Sequence, residues 1–198
     1  MVWDELARDA KDANKRDRDK WIGVYIGVAA VILAVCSMLG GNAAKDATQR
    51  NIEAANTWAF FQAKNMRRHV IRVQADQLEL QLAGNPGMPD DAKAAIRAKL
   101  AEYKRQEAIL TSDPDRREGL DELFERAKRL EAERDLAMRK DPYFDYGQAL
   151  LQIAIVLASI AIISGGSGLL GVSLMLAVAG TLLTVNGALL LVAVPGLG

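Results

Sequence analysis

The sequence has one cysteine, Cys36, and one histidine, His69. A single cysteine closes no intrachain disulfide, and the two residues together fall short of the ligands a structural zinc site needs. Charge is absent from two long stretches. The 198 residues include 25 basic and 25 acidic side chains, yet none lies in Trp21 to Gly41 and none in Tyr146 to Gly198. A water-soluble globular domain does not leave 53 consecutive residues uncharged. A soluble enzyme domain is therefore excluded, and zero net charge removes the usual signature of a nucleic-acid binder. No phosphate loop, dinucleotide motif or metal-ligand spacing occurs. A Ser/His/Asp nucleophile arrangement would have to use His69, which nothing recommends. An anion cluster of Arg68, His69 and Arg72 competes with a plain solvated helix face, the better-supported reading. The expectation is a chain that is no enzyme, holds no cofactor or metal and binds no nucleic acid.

What is present reads as an all-α membrane protein. Residues 1–20 form a polar N-terminal helix or tail with six acids and six bases. Trp3, Leu6, Ala7 and Ala10 draw a narrow apolar stripe on it, and an interfacial helix and a frayed tail remain equal readings. Trp21 to Gly41 is the first transmembrane helix, of about 20 apolar residues, and reads as an uncleaved signal anchor. The second runs from Tyr146 to Ser164, behind a proline break at Asp141-Pro142-Tyr143-Phe144-Asp145. A turn at Ser164 to Gly168 leads to the third, 169–194, which ends before Pro195. Trp21, Tyr25, Tyr143, Phe144 and Tyr146 are the expected interface belt.

Residues 42–145 form a polar insert between spans one and two, predicted as a long helical-hairpin, coiled-coil-like stalk. Asn42 to Ala83 has no proline or glycine and gives about 63 Å of helix. Gly84 to Asp91 is the clearest turn in the chain. A second helix follows from Asp91 to about Leu110. Ser112-Asp113-Pro114 breaks it, with Asp113 as N-cap of a third helix running to about Lys140, weakened at Gly119. On the outgoing helix Ile52, Ala59, Ala63, Met66, Val70, Val73 and Leu80 share a heptad line, with Asn56 and Gln77 filling it. Ile71, Ala75, Leu78 and Leu82 are read as a second line beside it. Ile96, Leu100, Tyr103 and Leu110, then Leu120, Leu123, Ala127 and Leu130, line the return path. Trp58, Phe60 and Phe61 point several ways around one helix, so at least one ring leaves the intrachain seam. They are the expected partner contact, with a wide local core as the alternative.

Small residues repeat at heptad spacing in all three spans. The first carries Gly23, Gly27, Ala30, Ala34, Ser37 and Gly41. The second carries Gly147, Ala154, Ala158, Ala161 and Gly165, and the third Ser173, Ala177, Gly180, Thr184 and Gly187. Such seams let backbones approach where lipid offers no hydrophobic drive. Whether they close within one chain or between copies stays open at this level. The spans hold no Asp, Glu, Lys, Arg or His, which argues against proton relays and ion-coupled transport. Gln152 and Asn186 are expected to hydrogen-bond across helices.

Two stretches resemble a known family. Gly41-Asn42-Ala43-Ala44-Lys45-Asp46-Ala47-Thr48 through Asn56-Thr57-Trp58-Ala59-Phe60-Phe61-Gln62-Ala63-Lys64-Asn65 is one. Glu133-Arg134-Asp135-Leu136 through Asp141-Pro142-Tyr143-Phe144-Asp145-Tyr146 is the other. Together they resemble a bacterial inner-membrane protein family catalogued only as a domain of unknown function (the 4337 type). The resemblance implies this helical layout and that location, and no activity. Lys15, Arg16, Arg18 and Lys20 precede the first span, which by the positive-inside rule puts the N-terminus in the cytoplasm and the insert in the periplasm. Arg134, Arg139 and Lys140 before the second span argue the other way. The functional expectation is a structural or scaffolding membrane protein whose partners are the bilayer and itself. A channel-like homo-oligomer and an accessory subunit of another membrane protein complex are the alternatives.

Overall fold

A computed structural model describes the backbone of residues 2–194 and the side chains of 15–194. Four α-helices are found among the described residues: α1 (Val2–Gly84), α2 (Asp90–Thr111), α3 (Leu120–Ser164) and α4 (Ser167–Leu189). The stripe of Trp3, Leu6, Ala7 and Ala10, and Pro195, lie outside the residues whose side chains are described. Three of the helices, α1, α3 and α4, are long and apolar enough to cross a membrane. Contacts divide the chain into two compact units, Met1–Ala47 with Asp135–Gly198, and Thr48–Arg134.

In the first unit, the inward line of α1 is Ile22, Ala29, Cys36 and Ala43, one residue per heptad, all buried. Cys36 and Ala43 of that line meet Phe144, Leu151 and Ala154 of α3 and Ala177 of α4 in one cluster, with Tyr25, Ile32 and Leu39 packed on its edge. The outer surface carries exposed large apolar side chains, among them Val28, Val35, Val156, Ile163, Met175 and Leu182. Helices apolar on all sides suit lipid rather than water. Pro142 lies inside α3. The chain does not break there, although proline removes one backbone donor and crowds the preceding turn. α3 ends at Ser164 on Gly165, whose φ of 71° closes the helix with an N–H bond to the Ala161 carbonyl at 3.0 Å. Only Gly165 and Gly166 separate α3 from α4, so the turn is tighter than the five residues expected. The last helix also ends early, at Leu189, because Leu190 takes the left-handed conformation and bonds back to Asn186.

In the second unit, α1 packs against α2 and the start of α3. Arg50 pairs with Glu133 at 3.0 Å, Trp58 Nε1 donates to Glu131 at 2.8 Å, and Lys104 pairs with Glu79 at 2.7 Å. Lys64 reaches Glu118, and Arg72 reaches Glu107. Partner numbers fall as α1 numbers rise, which is antiparallel packing. Leu110, Leu120, Leu123, Ala127 and Leu130 are buried on the facing helices.

The segment between α2 and α3 differs from expectation. The third helix begins at Leu120, not at Pro114. Asp113 does cap a turn, accepting from the Arg116 N–H at 3.3 Å, but that turn ends at Arg117, whose φ is 55°. The chain then folds over Gly119, where a Cβ would sit 2.5 Å from the Asp113 nitrogen and 2.6 Å from the Ser112 Cα. No other residue fits that approach. Glu122 ties the fold-over together, accepting from the Ser112 hydroxyl at 2.6 Å and the Asp113 N–H at 3.1 Å. Those hydrogen bonds, Ser112 first, hold its carboxyl below the usual range. A depressed folded value means the contribution is complete above the ordinary carboxylate pKa and is lost as pH falls through the folded value. Glu122→Gln should therefore remove part of the acid-induced loss of melting temperature below roughly pH 4.5. An unchanged acid limb would show that the Glu122 contacts do not hold the segment.

Candidate functional site

Two of the three small-residue seams close on each other inside the chain. Ala154, Ala158 and Ala161 of α3 are at most 1% exposed, and Ala177, Ser173, Gly180, Thr184 and Gly187 of α4 are buried. The approach is set by backbone. A Cβ on Gly180 would lie 2.9 Å from the Gly147 carbonyl, and one on Gly187 would lie 2.8 Å from Tyr143 Cβ. Ser173 donates to the Ala154 carbonyl at 2.6 Å. Its one proton is thereby used, so the 2.9 Å contact with Tyr25 is donated by the tyrosine. That bond links α1 to α4 across the seam.

The third seam is open. Gly23, Gly27, Ala30, Ala34 and Ser37 are all exposed. A Cβ added at Gly23, Gly27 or Gly41 meets nothing within 4 Å. The open line and the buried Ile22–Ala29–Cys36–Ala43 line lie about 130° apart at 3.6 residues per turn. The helix therefore turns the Ile22–Ala29–Cys36–Ala43 line to its own chain and leaves the small-residue line outward, beside an equally exposed line of Val24, Val28, Val31, Val35 and Met38. Sequence reasoning missed the inward line because it was sought among the smallest residues. The seven-residue recurrence of Ile22, Ala29, Cys36 and Ala43 was the available signal. Gly40 was missed too, although a Cβ there would stand 3.0 Å from Phe144 Cβ.

The expected belt separates into distinct environments. Trp21 and Tyr146 are exposed, at 74% and 56%, while Tyr143 and Phe144 are buried. Tyr143 donates to the Val192 carbonyl at 3.3 Å and accepts from the Val194 N–H at 3.1 Å, which fastens the segment after α4. Asn186 bonds both backbone groups of Val192, at 2.8 and 2.9 Å, rather than another helix. Gln152 is exposed. Thr181 and Thr184 donate to carbonyls four residues back in α4, at 2.7 and 2.8 Å. Arg18 donates to the Gly165 carbonyl at 3.1 Å, so the basic run before the first span meets the α3–α4 turn.

In the second unit the aromatic group is split as well. Trp58 and Phe61 form an edge-on cluster with Phe124 of α3, at centroid distances of 5.5 Å between Trp58 and Phe61 and 5.6 Å between Trp58 and Phe124. Phe124 went unnoticed in the sequence because it lies between charged neighbours. Phe60 points outward, 43% exposed, with the Lys64 ammonium 5.2 Å from its ring. The two apolar lines of α1 also separate. Ile71 and Ala75 are buried, while Ile52, Met66, Val70, Val73 and Leu80 are each more than half exposed. They are not adjacent stripes. Although Val70 and Ile71 are neighbours, the lines they start are about 150° apart.

Arg68 bonds Asn65, and Arg72 is engaged by Glu107, so Arg68, His69 and Arg72 do not converge. Among the described residues no group of three or more His, Cys, Asp or Glu side chains is placed to hold a metal ion. A groove beside Arg50, Glu53, Asp121, Glu125, Arg126 and Arg129 is open and mixed in sign. Its chemistry is that of a solvated charged surface.

The architecture is that of an all-helical protein with three candidate membrane-spanning helices. The chain belongs to the family described as a domain of unknown function, DUF4337, whose profile matches residues 18–190. No curated protein and no solved structure matches it.

The seams make opposite predictions for one substitution. Gly180→Ala places a methyl against fixed backbone and should cost about 1–3 kcal/mol, as overpacking does. Gly27→Ala meets open space in its own chain and should not lower the melting temperature of the dissociated chain in detergent. Equal melting of the two variants would contradict the α3–α4 contact.

Proposed function

We propose that this chain is a non-enzymatic, multi-pass membrane protein that assembles with copies of itself into a structural or scaffolding element. One observation carries the reading: the small-residue seam of the first candidate span faces away from its own chain, while the other two seams are already filled. Small residues on an open helix face allow the backbone of a neighbouring helix to approach, which gains van der Waals contact in a medium that offers no hydrophobic drive. The charge-free spans and their exposed apolar surface support the bilayer as the surrounding medium. We place the protein in a bacterial inner membrane, on the family resemblance. Residues 42–145 form a periplasmic stalk in this reading, with the basic N-terminal run on the cytoplasmic side.

The test is the native mass and protein content of the complex extracted in mild detergent. A uniform multiple of the chain mass is expected, and Gly27→Leu with Ala34→Leu should lower it. An unchanged mass in that variant would remove the seam as a subunit contact. A mass made up by other proteins would favour the accessory-subunit reading, for which the exposed Phe60 ring is the specific support. For orientation, Gly87 lies in the turn between α1 and α2, where nothing stands within 4 Å of an added Cβ. Gly87→Cys should react with a membrane-impermeant thiol reagent once the outer membrane is permeabilised. Labelling that requires lysis would reverse the topology.

A further inference from the structure

The exposed apolar line in the second unit is itself a heptad with a definite polarity. Steps of three and four residues assign Asn56, Ala63, Val70 and Gln77 to position a. Ile52, Ala59, Met66, Val73 and Leu80 fall at d. All nine are exposed, Met66 at 68% and Leu80 at 73%. Their own chain does not cover them, because α2 and α3 occupy the opposite side of α1.

We propose that this face is covered by the same face of a second copy, parallel and in register, as a two-stranded coiled coil. The polar residues decide the partner and its direction. Both side-chain amides of the line sit at a, and every d residue is apolar. Parallel pairing in register sets a against a, so Asn56 meets Asn56 and Gln77 meets Gln77. Each amide then finds a donor and an acceptor in its twin. Antiparallel pairing sets a against d and buries each amide on an apolar side chain, without a partner. A different protein would need its own polar layers at the same three-heptad separation, which an identical copy supplies automatically. The flanking positions agree. In the parallel register Gln62 faces Arg67, His69 faces Gln74 and Asp76 faces Gln81, so no like charges meet. Copies inserted into one membrane in the same sense are parallel already. The inference rests on the self-association proposed above and adds its surface, direction and register.

Cysteine cross-linking of the full chain in its membranes tests it, with Cys36→Ala as background. Val73 is exposed at a d position, so Val73→Cys should leave the single chain folded, as retained helicity would verify. Mild oxidation should convert it to a disulfide-linked dimer of twice the chain mass. Ala101→Cys, exposed on α2, should remain uncross-linked. A homo-oligomeric native mass with no Val73 cross-link would overturn this seam and leave self-association standing. A monomeric native mass would overturn both. Cross-linking of Asn56→Cys chains to Val73→Cys chains in preference to Val73 self-pairing would overturn the parallel direction.

Discussion

The contact between the Gly147 and Gly180 backbones fixes how near α3 and α4 can come, and much of the first unit follows from that separation. Each glycine stands against the other's carbonyl at about 3 Å from where a Cβ would lie. Only at that spacing can Ser173 reach the Ala154 carbonyl and Thr184 lie buried beside Gly147. Tyr25 then donates to the Ser173 hydroxyl, which the close pair has already oriented. Cys36 behaves the same way, donating to the Phe144 carbonyl at 3.3 Å from the inward line of α1. A bulkier residue at Gly180 would push α3 away and loosen each of these bonds. The small residues therefore act by permitting a geometry rather than by contributing contact area.

Other polar groups within the candidate spans are satisfied in their own helix or just beyond it. Ser159, Thr181 and Thr184 bond carbonyls four residues back in their own helices. Asn186 satisfies both backbone groups of Val192 beyond the end of α4. In a medium without water each unmet donor or acceptor carries a large cost, so local bonding is the economical solution.

Much of the architecture was legible in residue order. Uncharged runs located three candidate spans, and Asn85-Pro86-Gly87 located the turn after α1. The return lines Ile96–Leu100–Tyr103–Leu110 and Leu120–Leu123–Ala127–Leu130 were readable because their residues recur at steps of three and four, with only Glu107 interrupting the first. Three features were not readable, for separate reasons. Pro142 looked like a break, yet a long helix tolerates one lost hydrogen bond when Tyr143 and Phe144 anchor the turn. The start of α3 depended on a backbone fold-over at Gly119, made by Ser112, Asp113 and Glu122, which no propensity anticipates. Which face of α1 turns inward depended on tertiary fit and not on bulk, since Val24, Val28, Val31, Val35 and Met38 are left exposed. Cys36, Tyr25 and Leu39 pack with Phe144 and Leu151.

The two outward faces of α1 have different compositions, and the difference follows the physics of two media. In the first unit one outward line is Gly23, Gly27, Ala30, Ala34 and Ser37, beside a second of Val24, Val28, Val31, Val35 and Met38. In the second unit the outward line is Ile52, Met66, Val70, Val73 and Leu80, punctuated by Asn56 and Gln77. Lipid gives no reward for burying large apolar groups, so close backbone approach is the available attraction. Water does reward it, at about 25 cal/mol per Å² removed from solvent. Under the proposed self-association, each stretch carries the side chains that attract a copy in its own surroundings. The amide layers add what apolar burial lacks, a dependence on register. A monomer needs neither outward pattern, since lipid accepts any apolar face and water favours charge over exposed Met66 and Leu80.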